Sequence, residues 1–177
     1  MVAEGPNRKF WVAVMTEYQV VIVGGGPAGL SAALLMGRGR TRALVCDTGS
    51  ARHLVAPEAH SFLTRDGTPP AELRRIGREQ LEPYETIEFR HAEVTSIEQK
   101  PEDGFRVSAE GQPAIDAQFV LLATGIVDIH LEIPAYMDFW GKSLVHCPYC
   151  HGWEFRNRPL GVLAPTPDLL RASKARW

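Results

Sequence analysis

The spacing of apolar and polar positions changes several times along this chain, and each change marks an element. Tyr18 to Val23 is apolar and β-branched except at Gln19, which predicts a strand buried on both faces. Leu30-Ser31-Ala32-Ala33-Leu34-Leu35-Met36 follows as a run of good helix formers, which Gly37 and Gly39 can end. Leu44-Val45-Cys46 predicts a short second strand, closed by Asp47. A polar loop continues to Asp66-Gly67-Thr68-Pro69-Pro70, where turn residues cluster. Pro70 to Gln80 predicts a helix, with Pro near its first turn and Glu72 close to its positive end. Thr86 to Arg90 alternates as a strand does, and so does Ala92 to Glu98, with Val94 and Ile97 pointing inward. Asp103-Gly104 turns the chain into Phe105-Arg106-Val107, and Ile115 to Ala123 is a long final strand. The result is an α/β order with antiparallel strands inserted between two parallel ones.

The ends of these elements carry chemistry. Gly24, Gly26 and Gly29 fall in the order G-x-G-x-x-G between the first strand and the first helix. Gly24 permits a tight turn, Gly26 lets the backbone approach a pyrophosphate, and Gly29 lets helix and strand pack closely. The helix N-terminus offers N–H groups and a positive dipole end to phosphate. Asp47 is placed to accept from ribose hydroxyls, a group that NAD and the adenosine of FAD share. Thr124-Gly125 ends an apolar strand, where an open α/β sheet binds its ligand. Strand, spacing, helix and acid agree on a Rossmann-like, three-layer FAD/NAD(P)-binding domain with an antiparallel β-meander insertion. In FAD enzymes of this shape the flavin lies near a loop such as 48–70, so His60, Arg65 and Asp66 are flavin-facing or solvated.

Bulk properties narrow the classes. With 177 residues the chain suits one domain and some further material. A net charge of −2 gives no electrostatic case for nucleic acid or an anionic membrane. No apolar run approaches the roughly 20 residues of a spanning helix. Phe10 to Met15 is shorter than a signal-peptide core, so a cytoplasmic location is expected. Residues 1–15 read as an N-terminal extension, with Met15 a candidate natural start. Three cysteines in a reducing compartment argue against a disulfide scaffold. Cys46, inside a strand, reads as inert core.

His146-Cys147-Pro148-Tyr149-Cys150-His151 is the second chemical centre. It admits a dithiol/disulfide redox pair, a Cys₂His₂ zinc site, covalent haem through C-x-x-C-H, or a glutaredoxin-like site. Zinc fingers usually separate their ligand pairs, haem attachment normally follows export, and a glutaredoxin site opens its domain. The flavin motif selects the redox pair, since bound FAD can pass electrons to a nearby disulfide. His146 and His151 can then supply or accept the proton.

Together these pieces resemble the thioredoxin-reductase-like FAD/NAD(P)-dependent oxidoreductases. The resemblance spans about Thr16 to Leu163 and rests on Val23-Gly24-Gly25-Gly26-Pro27-Ala28-Gly29, Asp47, Leu122-Ala123-Thr124-Gly125, and Trp140-Gly141 leading to His146 through Glu154. It implies that NADPH reduces FAD and FAD reduces the cysteine pair. It places FAD on Gly24, Gly26, Pro27, Ala28, Gly29, Asp47, Val94, Thr124 and Gly125, and catalysis on Cys147, Cys150 and His151, with no metal. Cys150 would face the flavin and Cys147 would attack a small-molecule or protein disulfide. His151 stands where thioredoxin reductases carry an acid, which favours the branch that includes dithiol oxidases and puts thioredoxin in doubt as partner. The implied layout is an FAD-binding segment over 16–125, the start of an NADPH and redox-cysteine domain over 126–164, and an atypical tail over 165–177. Leu160 to Ala164 would be that second domain's first strand. Two prolines without glycine, at Pro165-Thr166-Pro167-Asp168, cannot build its phosphate turn, so the tail reads as truncated and direct NADPH turnover as negligible. Apolar surface left uncovered predicts poor solubility or a homodimer. A non-catalytic FAD-binding fragment and a zinc module on Cys147, Cys150, His146 and His151 are the alternatives.

Overall fold

A computed structural model describes residues 17–101, 103–164 and 166. The expected extension over 1–15 and nearly all of the tail over 165–177 lie outside the described residues. β1 (Tyr18–Val23), β2 (Ala43–Asp47) and β3 (Ile87–His91) are parallel neighbours, as their unbroken apolar or alternating patterns require. α1 (Pro27–Arg38) connects β1 to β2, and α2 (Pro70–Glu79) precedes β3. α1 begins with Pro at its first position and stops where the Gly39 N–H bonds to the Leu35 carbonyl at 3.0 Å. α2 also starts on proline and carries Glu72 in its first turn.

β4 (Val94–Gln99), β5 (Phe105–Ala109) and β6 (Ile115–Leu122) follow, giving the sheet order β3-β2-β1-β6-β5-β4. β6 serves two neighbours in turn. Its first residues, Ile115 to Ala117, pair antiparallel with β5, and Ala117 to Leu122 pair parallel with β1. The antiparallel strands therefore fall, in sequence, between parallel β3 and β6, as the alternation indicated.

Two apolar clusters flank the sheet. Val20, Ile22, Ala43 and Val45 pack with Leu30 and Ala33 of α1 and with Leu81. Val21, Leu44 and Cys46 pack with Val107, Ile115 and Ala117 of the meander. Helix, parallel sheet and meander thus form the three expected layers. Cys46 is 1% exposed, as a core thiol should be.

Two sequence expectations fail here. Ile97, expected inward, is 37% exposed; β4 is the edge strand, and only Val94 at its start packs against the core. Leu160 to Ala164 forms no strand, and Leu160, Val162 and Leu163 stand more than half exposed. An apolar run becomes a strand only where a neighbour accepts its backbone hydrogen bonds. Before Leu160 the chain forms α3 (Tyr136–Phe139) and α4 (Pro148–His151), each a single turn.

Candidate functional site

The turn after β1 is built around the close approach of β6. Gly24 has φ +109°, and a Cβ there would lie 2.2 Å from the Ala123 carbonyl oxygen. A Cβ on Gly29 would lie 1.9 Å from the Gly24 carbonyl, so the helix could not sit so near the strand. A Cβ on Gly26 would meet nothing within 4 Å. Gly26 is also the N-cap of α1 and supplies no side-chain cap, so the first N–H groups of a 12-residue helix are left without a side-chain acceptor. Pro27 and Ala28 are the first two residues of the helix. That cradle fits a pyrophosphate such as the one in FAD: backbone donors, a positive helix end and no side chain in the way. Thr124 is brought beside it, its N 3.3 Å from the position of a Gly24 Cβ, and Gly125 follows with φ +71°. Val94 packs on the cluster that holds Cys46, one residue before Asp47.

Asp47 ends β2 and is 8% exposed. Burial alone would raise its carboxyl, but the Gly25 backbone N–H, Arg74, the Gly49 backbone N–H and Arg78 together hold it below the usual carboxylate range. Arg74 and Arg78 each donate to Oδ2 at 2.6 Å. Arg74 also donates to the Gly49 carbonyl at 2.7 Å. Reading along the chain missed both arginines, although their spacing of four on α2 puts them on one helix face. Burial, with help from Arg74, pushes the His53 imidazole down.

The second centre is a closed disulfide between Cys147 and Cys150, with Cα atoms 5.3 Å apart. Cys147 is the N-cap of α4, and its sulfur accepts the Cys150 backbone N–H at 3.1 Å. Among the described residues no group of three or more His, Cys, Asp or Glu side chains is placed to hold a metal ion. His151, next to Cys150, has both ring nitrogens buried without a hydrogen-bond partner. His146 faces it edge-on, ring centroids 6.3 Å apart, and Trp140 links His146 to His130 through ring contacts of 5.5 and 4.6 Å. Partial burial and then Arg52 push the His146 imidazole down, against the opposing pull of Asp128. Of the loop residues, His60 lies among Glu58, Asp66 and Glu154, and Asp66 accepts the Ser61 N–H at 2.7 Å. Arg65 lines a cavity of about 200 Å³ between α1 and α2.

Comparison with known proteins follows the same lines. The family model for pyridine nucleotide-disulphide oxidoreductase matches residues 18–166. Thioredoxin reductase tcpT of Claviceps purpurea (strain 20.1) is 39% identical over 149 residues, covering 83% of this chain and 46% of the relative. The crystal structure of HlmI superposes with a TM-score of 0.81 at 39% identity, covering 87% of this chain and 49% of the other. The putative thioredoxin reductase TrxB from Bacillus anthracis gives 0.76 at 35%, with 80% and 48% covered. The chain spans about half the length of the curated relatives it matches.

Proposed function

This chain belongs to the pyridine nucleotide-disulphide oxidoreductase family, and on that premise we propose that it is the FAD-binding and disulfide-bearing part of a thioredoxin-reductase-like oxidoreductase. The observation that carries the proposal is the closed Cys147–Cys150 pair, its N-cap sulfur hydrogen-bonded to a backbone N–H and an unsatisfied imidazole beside it. FAD would be held by Gly24, Gly26, Pro27, Ala28, Gly29, Asp47, Val94, Thr124 and Gly125. When bound, FAD supplies two-electron transfer between a nicotinamide donor and a disulfide. The chain's own residues do the rest. α1 presents backbone N–H groups to the phosphates. Asp47, fixed by two arginines, offers its remaining acceptor capacity to ribose. The Cys150 N–H stabilises the Cys147 sulfur as a thiolate, and His151 holds the proton exchanged with the pair. Residues 126–164 would open the second domain, NADPH would be the donor, and the substrate would be a small-molecule or protein disulfide.

Phe119 and Leu122 of β6, 63% and 66% exposed, favour a second reading, an FAD-binding unit that works only with further polypeptide on that face. One preparation tests both. After FAD is added and the excess removed, a retained flavin absorption band is expected, with two thiols gained per chain on reduction by a dithiol. A band without the thiols leaves the FAD-binding unit. A colourless protein overturns the nucleotide assignment.

A further inference from the structure

The cavity of about 200 Å³ between α1 and α2 is closed on a third side by the loop that precedes α2. Of the residues proposed to hold FAD only Pro27 lines it, so it lies beside the nucleotide cradle and not in it. The sequence prepares this space. Gly77 sits within α2, where glycine is otherwise unfavourable. A Cβ there would stand 2.9 Å from Leu30 Cδ1, so glycine lets the helices approach where both wall the cavity.

The walls are of two kinds. Leu30, Phe62, Leu73 and Ile76 supply apolar surface. Arg65 and Arg74 supply two guanidinium groups, and among the described residues no carboxylate lines the cavity. The nearby acids are engaged elsewhere. Asp47 is shared by Arg74 and Arg78, and Glu72 accepts from two nitrogens of Arg75. Arg74 is the decisive residue. Only 9% exposed, it donates from its two terminal nitrogens to the Gly49 carbonyl and to Asp47, while its Nε is buried without a hydrogen-bond partner. A buried N–H left unpaired is costly, and an anionic oxygen is the acceptor that satisfies a guanidinium best.

Size sets the rest of the ligand. An apolar cavity of roughly 150 Å³ admits benzene, so this one has room for a ring with one small charged group. We propose that the α1–α2 cavity is a second ligand site, for a small aromatic carboxylate whose ring lies among Leu30, Phe62, Leu73 and Ile76 and whose carboxylate pairs with Arg74 and Arg65. Phe62 and Arg65 are exposed, so the ligand enters past the loop. The site goes beyond the redox function and does not depend on it.

Isothermal titration calorimetry of the full chain with benzoate at pH 7 tests it. Binding with a dissociation constant of about 1 mM or tighter is expected, within reach of so small a ligand, and it should persist when FAD is added. Benzyl alcohol, neutral and nearly the same shape, should bind at least roughly tenfold more weakly, since it offers no charge to the guanidinium groups. R65Q should weaken benzoate by about two- to fivefold, as loss of an exposed ion pair does. I76F fills the cavity from α2 and should abolish binding. S31F fills it from an exposed position on α1 that also lines it, and should do the same without disturbing the core. No binding at about 10 mM benzoate, a limit even a weak ligand of this size should meet, overturns the proposal. So does equal affinity for benzyl alcohol, loss of benzoate binding on adding FAD, or unchanged affinity in S31F. A chain that stays colourless after FAD treatment removes the nucleotide assignment and leaves this site standing.

Discussion

At the scale of single residues, Asp47, the proposed ribose acceptor, also supports the fold. It accepts from Arg74 and Arg78 while 8% exposed, and Arg74 is itself only 9% exposed. Removing the carboxylate strands a buried guanidinium, which costs about 3–5 kcal/mol in comparable buried pairs. Asp47→Asn keeps the shape and one acceptor, so a loss toward the lower end is expected in urea unfolding at pH 7. The carboxyl is held below its ordinary value, so its contribution is fully present above the unfolded value near ~3.9 and is lost as pH falls through the lower folded value. The gap between wild type and Asp47→Asn should therefore be widest at neutral pH and close as pH falls below the ordinary carboxylate range. An equal gap at both would show that the ion pair is not its source.

At the scale of elements, α4 shows how a single turn can set reactivity. Cys147 caps it, and the Cys150 backbone N–H donates to the Cys147 sulfur. Positive helix ends and backbone donors favour a thiolate, and the thiolate is the nucleophile. Once the disulfide is reduced, Cys147 should be alkylated faster than Cys150 at neutral pH. Peptide mapping of the singly alkylated protein checks this, and equal labelling would count against an activated Cys147. β6 makes a comparable point about strands. Its registry with β5 and then β1 swings the meander over the sheet and leaves Ala123-Thr124 against Gly24.

At the scale of the whole molecule, exposed apolar residues dominate the later half. Phe119, Leu122, Ile126, Val127 and Ile129 are all more than 60% exposed. Exposed apolar side chains in this number favour association. Wild type is expected to self-associate at micromolar concentration, and Phe119→Ser with Leu122→Ser to shift it toward monomer. Light scattering with size-exclusion chromatography reads the difference; a monomeric wild type would remove this face as the cause. Among the described residues no helix is long and apolar enough to cross a membrane.

The amino-acid sequence by itself determined the parallel core, the glycine turn, both main helices and the spacing of the cysteine pair. Each is written in neighbouring residues: periods of two and 3.6, glycines at fixed offsets, prolines at helix starts. Tertiary structure decided what depends on where distant elements land. Arg74 and Arg78 reach Asp47 from 27 and 31 residues away, and Arg52 reaches Asp128 from 76. Ile97 alternates like a core residue but sits on an edge strand, and Leu160 to Ala164 has strand composition without a strand beside it. A hydrophobic period specifies which face of an element seeks cover; only the assembled fold specifies whether anything covers it.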